Sequence, residues 1–361
     1  MLAVYVSGHG FGHATRTAEV LRVVRERAPD LPIAIGTSAP AGLFESVVAP
    51  PLELRAVVAD VGLAQKDALT IDEDATVSEW RAFMSGWPAL VDAEARWLKA
   101  AGARLVLGDI PPLAFAAAEA AGVPSVALGN FSWDWIYAHL ARRVTPLAGA
   151  AVWAARAYRR AGLLLRLPFA GDLSAFPRVK DVPLVVRTPT LARSEARRRL
   201  GLGERPVVLL SFGGAGLSGL ELSAYEGLGD YEILVTGVWT TVAAAGNTRV
   251  LAADALDGLG LSYPDLVGAA DVVVTKPGYG IVTDCIGAGT RLVYTDRGDF
   301  PEYEILVREM PSWLPVEFAS NAQVREGRLG PALAAVRQRA FPERRRTDGA
   351  AVVAETLLAW L

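Results

Sequence analysis

The sequence predicts an α/β protein made of two halves, each a parallel sheet covered by helices. Three observations predict this. Short apolar runs alternate with stretches that are apolar at helical spacing, the pattern of strands buried on both faces. Two of those runs, LAVYVS near the start and RPVVLLS in the second half, feed into glycine-rich turns. And at 361 residues the chain exceeds the roughly 250–300 that one core holds.

Taken in order, LAVYVS is a strand, SGHGFG a turn and ATRTAEVLRVVRERA a helix. PIAIGTS is a second strand. ARLVLGD (103–109) is another, followed by the helix PLAFAAAEAAG and the strand PSVALGN. The middle, from FSWDWIYAHL to VVRTPTL, shows no clear period and is read as irregular. LARSEARRRLGL (191–202) is a basic amphipathic helix closed by glycine. Alternation then restarts: strands RPVVLLS, YEILVTG and TRVLAA, helix YPDLVGAAD, strand VVVTK, helix YGIVTDCIGAG and strand RLVYTD. The join near 170–190 predicts domains over 1–180 and 181–345, with a last helix in 346–361 that could cross back to the first domain.

Composition excludes several classes. Hydrophobic residues make up 52% and charged residues 21%, a globular balance. The net charge of −3 gives no basic excess for nucleic acid. A single cysteine, Cys285, excludes an internal disulfide and makes a reducing, cytoplasmic setting the default. MLAVYV is too short for a signal-peptide core, and no apolar run nears the roughly 18–20 residues of a membrane span. The apolar region 146–169 is interrupted by Arg156, Arg159, Arg160 and Arg166. The arginine-bearing segment 153–166 reads as a solvated helix face beside a strand, with peripheral contact to a membrane surface as the alternative.

The motifs carry the chemistry. SGHGFGHATR places Gly8, Gly10 and Gly12 around His9 and His13 at a strand's carboxyl end. The spacing matches neither the dinucleotide fingerprint nor the P-loop. Backbone N–H groups and a helix N-terminus there suit an anion or substrate, so His9, Gly10, Gly12, Arg16 and His13 are ligand-facing candidates. With three histidines and one cysteine in the chain, metal ligands are scarce, and no resident cofactor is expected. Asp109 ends a strand before Pro111-Pro112. It reads either as a helix cap or as a carboxylate that orients a histidine. Gly213 and Gly214 form a phosphate-approach turn or an ordinary strand–helix turn. In TKPGYGIVTDCIGAG, Lys276, Gly278, Tyr279 and Gly280 at a helix start suit phosphate, and Asp284 suits ribose hydroxyls. Asp299 and Glu302 suit sugar hydroxyls or belong to a solvated acidic loop. Backbone around Leu251–Ala253 is a candidate for the nucleotide base. Gln65, Lys66, Asp67 and Asp72 read as solvent loop or acceptor side. Trp133, Trp135 and Tyr137 read as core or sugar contacts, and His139 as structural.

These strings, across nearly the whole chain, resemble the GT-B glycosyltransferases. GHATRTAEVL and TKPGYGIVTDCIGAGTRLVYTDRGD are similar to segments of the UDP-glucosyltransferases and the bacterial lipid II GlcNAc-transferase. SGHGFGHATR, DVGLAQKDALTID, NFSWDWIY, DVPLVVR, SFGGAGLSG and KPGYGIVTD resemble most closely the glycosyltransferase-like N-terminal half of L-arabinokinases and its stand-alone bacterial relatives. The resemblance implies two Rossmann-like domains whose parallel sheets face a central cleft. It implies a transferase moving a sugar from a nucleotide-diphosphate sugar, a UDP-sugar, to a hydroxyl acceptor by inverting, metal-independent displacement. His13 would be the base and Asp109 its partner. Gly213 and Gly214 would approach the diphosphate, and Asp284 would stand where relatives carry a ribose-binding Glu. Glu302 would lie near the donor sugar, although GDFPE departs from the Asp-Gln pair of the glucosyltransferases. The ATP loop of a galactokinase-type half is absent, so kinase activity is not implied. An epimerase or hydrolase of the same fold, or a nucleotide-sugar sensor, are the alternatives.

Overall fold

In the computed structural model, residues 1–66, 70–213, 221–237, 244–252 and 255–361 are described. In chain order the first elements are β1 (Leu2–Val6), α1 (Phe11–Arg27), β2 (Ile33–Thr37), α2 (Gly42–Glu45), β3 (Leu52–Ala56), α3 (Glu73–Ala100), β4 (Leu105–Asp109) and α4 (Pro112–Ala121). β5 (Ser125–Gly129), α5 (Trp133–Leu140), α6 (Leu147–Tyr158), β6 (Leu163–Arg166) and β7 (Val179–Asp181) follow. Then come α7 (Arg193–Arg199), β8 (Val207–Ser211), β9 (Glu232–Thr236), β10 (Ala244–Ala245), β11 (Thr248–Leu251), α8 (Ala255–Gly258), α9 (Tyr263–Ala269) and β12 (Val272–Thr275). The chain closes with α10 (Tyr279–Ala288), β13 (Arg291–Tyr294), α11 (Pro301–Glu309), β14 (Val316–Phe318), α12 (Asn321–Arg325), α13 (Gly330–Gln338) and α14 (Gly349–Trp360).

The chain divides into two units, one of residues 1–64, 72–185 and 346–361, the other of 65–71 and 186–345. The first holds a seven-stranded sheet in the order β3-β2-β1-β4-β5-β6-β7, parallel throughout. Along β1 the pleat sends Leu2, Val4 and Val6 into one core with α1 and α14, where Ala14, Ala18, Leu21, Val353 and Leu357 are buried. Tyr5 points to the opposite face. Its hydroxyl donates to Glu94 Oε2 at 2.7 Å, and Arg55 grips the same carboxylate at 2.7 and 2.9 Å. That trio, with Tyr5 and Glu94 buried and Arg55 half-buried, pins the long helix α3 to the sheet.

The second unit holds the sheet β10-β11-β9-β8-β12-β13-β14, parallel except for the antiparallel edge pair β10–β11. Val208, Leu210, Val272, Val274 and Val293 pack with Leu333 and Val336 of α13. The capping box Ser262–Asp265 starts α9, and Asp265 also accepts from the Thr190 and Leu191 amides at 2.7 and 2.9 Å.

Both sheets have a point where successive connections leave in opposite directions: between β1 and β4 in the first, and between β8 and β12 in the second. The carboxyl ends of strands at such a point form the usual ligand crevice of an open α/β sheet. Among the described residues no helix is long and apolar enough to cross a membrane. In the apolar region 146–169, Arg160 pairs with Glu119 and Arg166 with Asp181.

Two segments differ from the sequence reading. The stretch around DEDATVSEW opens α3, with Asp72 as its cap accepting from Ala75 N at 3.0 Å. Gly86 and Pro88 lie inside that helix and mask its period, because both are read as helix breakers. The middle region, read as lacking a clear period, contains α5, α6, β6 and β7; of these, α6 and β6 match the helix face beside a strand expected over 153–166. Leu357→Ala in α14 should lower the stability of the first unit by about 2–5 kcal/mol, read as a fall in the urea midpoint. An unchanged midpoint would show that α14 adds nothing to that core.

Candidate active site

The first strand edge is organised around one carboxylate. Asp109 ends β4 and is fully buried. His13, Arg16 and Thr17 lie at i, i+3 and i+4 on the face of α1 turned toward it. His13 Nδ1 is 2.8 Å from Asp109 Oδ1. Arg16 donates through Nε to Oδ2 at 2.9 Å and through Nη2 to Oδ1 at 2.5 Å. Thr17 Oγ1 donates to Oδ2 at 2.7 Å. Arg16 Nη1 also donates to Asn130 Oδ1, just past β5, at 2.9 Å.

Burial alone would raise the Asp109 carboxyl, but the charges of Arg16 and His13 and their hydrogen bonds outweigh it. The group is held well below the usual carboxylate range and is ionised at neutral pH. That decides the histidine tautomer. Nδ1 must carry a proton to meet the carboxylate, so the 3.3 Å approach of Arg16 Nη2 to Nδ1 is two donors converging on one oxygen, not a hydrogen bond. Nε2 is then the ring's basic nitrogen. This geometry orients a histidine as a general base and stabilises the imidazolium formed after proton uptake.

A second carboxylate lies close by. Asp60, in the loop after β3, is buried and accepts from Trp133 Nε1 at 2.8 Å. Burial pushes its carboxyl up, opposed by hydrogen bonds from Ser7 and Trp133 and by His13. Asp60, Thr17 and Asn130 were not singled out in the sequence. Thr17 had a readable signal, its helical spacing from His13; Asp60 and Asn130 open the strings DVGLAQKDALTID and NFSWDWIY, but only the parallel sheet brings strands distant in sequence to one edge.

His9 packs beside this cluster. Its ring meets Trp133 edge-on at 5.3 Å, and Leu63 N approaches its Nδ1 at 3.4 Å. Gly62 makes room for it: with φ at +65°, a Cβ there would come within 2.6 Å of the ring. Gly10, at φ +80°, caps α1, and Gly12 is already inside the helix. Arg16, expected to face a ligand, instead directs its guanidinium to Asp109 and Asn130. Trp133 and Tyr137 are buried and stack on one another in the core, while the half-buried Trp135 lies over Gly171. Gln65 and Lys66 are exposed, Asp72 is the α3 cap, and Asp67 lies outside the described residues.

In the second unit, Gly213 follows β8 with φ +77°; Gly214 lies outside the described residues, as does Ala253 near the candidate base contact. Lys276 follows β12, Gly278 caps α10, and Tyr279 and Gly280 form its first turn. Asp284 is buried within α10. Both its oxygens accept from Arg187, at 3.0 and 2.5 Å, which the sequence reading did not foresee. Asp299 is exposed in the loop after β13, and Glu302 is buried in the first turn of α11. Cys285 is a buried free thiol that burial pushes up, hence chemically quiet. Among the described residues no three His, Cys, Asp or Glu side chains converge as a metal-ligand set.

The depressed Asp109 has a pH signature. Its contribution to stability is fully present above the unfolded value of about 3.9 and is lost as pH falls toward the lower folded value. Asp109→Asn should therefore cost about 3–5 kcal/mol at neutral pH, and the gap between wild type and variant should narrow below about pH 4. Urea midpoints at several pH values check this; a gap constant with pH would contradict the ionised, paired carboxylate.

No protein-family model matches the chain. L-arabinokinase from Arabidopsis thaliana is 36% identical over 310 residues, covering 85% of this chain but 29% of that protein. The chain thus spans under a third of the length of this curated relative. Among solved structures, the calicheamicin glycosyltransferase CalG4 superposes with a TM-score of 0.66 at 16% identity, covering 100% of this chain and 98% of that one. UGT89C1 of Arabidopsis thaliana gives 0.62 at 13% identity, covering 99% and 94%. WaaG, a glycosyltransferase involved in lipopolysaccharide biosynthesis, gives 0.52 at 14% identity, covering 99% of each chain. With its two parallel-sheet α/β units and these neighbours, the chain has the GT-B fold of glycosyltransferases, and its sequence is similar to part of an L-arabinokinase.

Proposed function

We propose that this protein is a glycosyltransferase that moves a sugar from a UDP-sugar to a hydroxyl acceptor, with His13 as the base. The observation that carries the reading is the His13–Asp109 pair, 2.8 Å apart at the switch point of the first sheet. An acceptor hydroxyl is a poor nucleophile at neutral pH. His13 Nε2 takes its proton as the oxygen bonds to the anomeric carbon, and the bond from that carbon to the diphosphate oxygen breaks. The products are the glycosylated acceptor, inverted at that carbon by the single displacement, and UDP. Asp109 stabilises the imidazolium until the proton passes to solvent.

The leaving diphosphate gathers negative charge. In the second unit, the N-terminus of α10, the Gly213 turn and Lys276 lie at the carboxyl ends of β8 and β12 and suit that charge without a metal. Asp299 and Glu302 are the candidates for donor-sugar hydroxyls. A UDP-sugar donor is supported by the fold neighbour UGT89C1, solved with UDP-L-rhamnose. A cytoplasmic setting goes with the reading, since the only cysteine is a buried free thiol.

Incubation with a panel of UDP-sugars should release UDP slowly, with water as the poor acceptor. His13→Ala should lower that rate by about 10²–10⁴-fold, while calorimetric affinity for UDP changes less than about twofold. Loss of UDP affinity in step with the rate would remove His13 from the role of base. A changed sugar on intact UDP-sugar would mark an epimerase, and tight binding without turnover a sensor.

A further inference from the structure

The sequence pattern assigns the donor's ribose to Asp284. The structure turns that carboxylate inward. Its side chain is 2% exposed, whereas the Arg187 side chain that covers it is 22% exposed. Arg187 grips Asp284 side-on: Nε donates to Oδ1 at 3.0 Å and Nη2 to Oδ2 at 2.5 Å. A guanidinium held along that edge has Nη1 and the second N–H of Nη2 directed away from the carboxylate. A ligand approaching this part of α10 meets those donors before it meets Asp284.

The placement of Arg187 is fixed by more than the ion pair. Its backbone passes so close to α10 that a Cβ at Gly287 would come within 2.3 Å of the Arg187 carbonyl oxygen. Its guanidinium carbon lies 5.9 Å from the Tyr263 ring centroid. Tyr263 OH is 2.7 Å from Ser211 Oγ, which also accepts from Thr236 Oγ1 at 2.8 Å. Arg187 thus stands beside a tyrosine whose hydroxyl reaches the carboxyl ends of β8 and β9, the ligand edge of the sheet.

We propose that Arg187 is the group that contacts the donor, donating to the ribose hydroxyl oxygens, and that Asp284 is a positioning residue that aims it. This rests on the nucleotide-sugar reading. Two arguments select ribose over phosphate. Asp284 lies five residues beyond Tyr279, about 7–8 Å along the helix from the N-terminus that suits phosphate. That is the separation of one sugar from its phosphate. The Arg187–Asp284 pair is also neutral overall, which suits neutral hydroxyls better than a phosphate dianion.

The test is calorimetry with UDP and 2′-deoxy-UDP on the full chain. Wild type should prefer UDP by about tenfold or more, the scale of hydrogen bonds to a charged group. Arg187→Ala should bring the preference close to one. Arg187→Lys keeps a cation on Asp284 and guards against a misfolded alanine variant; it should hold the thermal midpoint yet lose most of the preference, because an ammonium lacks the second edge of the fork. A preference kept or increased in Arg187→Ala would show that Asp284, once uncovered, is the true contact, and would overturn the assignment. An unchanged preference in Arg187→Lys, or a wild-type preference near one, overturns it as well. In those cases UDP still binds and the nucleotide-sugar reading stands. Wild type binding neither nucleotide would remove both.

Discussion

A buried, ionised carboxylate at the end of β4 is the constraint around which the first unit's strand edge is arranged. Asp109 has no access to water and cannot stay charged there without partners. Arg16 supplies the opposite charge, Thr17 and His13 fill its other lone-pair directions, and Asn130 holds the far end of Arg16. His13, Arg16 and Thr17 come from one face of α1, Asp109 from the end of β4 and Asn130 from just past β5, so all three elements must be in position before the charge is satisfied. The same demand fixes His13: an acceptor ionised at neutral pH requires a proton on Nδ1 and leaves Nε2 as the ring's acceptor nitrogen. Structure and chemistry are here one electrostatic solution.

The second unit meets the same problem with a different outcome. Asp284 is also buried within a helix that follows a central strand, and it too is paired with an arginine. No histidine shares it. The first arrangement yields a proton acceptor held by a carboxylate; the second yields a cation held by a carboxylate. An arginine–carboxylate fork fixes both partners in orientation. Both sheets place these pairs beside a topological switch point, where strand order rather than local sequence creates the crevice.

Most of the α/β alternation was legible because buried parallel strands are short and mostly apolar: LAVYV, LVLGD and VVVT stand out in any window. The helix α3 was not, because Gly86 and Pro88 interrupt its pattern and its hold on the sheet comes from Glu94, Arg55 and Tyr5, remote in sequence. The aromatic residues left two readings open, core or sugar contact. Trp133 and Tyr137 have the chemistry of a sugar platform, but their neighbours bury them.

Local patterning therefore settled the α/β class and nominated the glycine turns and the candidate residues His13, Asp109 and Asp284, since strand periodicity and turn chemistry are properties of adjacent residues. Which atoms those residues present was decided only in three dimensions. Arg16 turned from ligand to support, Asp60 took the Trp133 indole, and Arg187 closed over Asp284. The reason is physical: a charge's partner, and the solvent it loses, depend on neighbours that chain order does not specify.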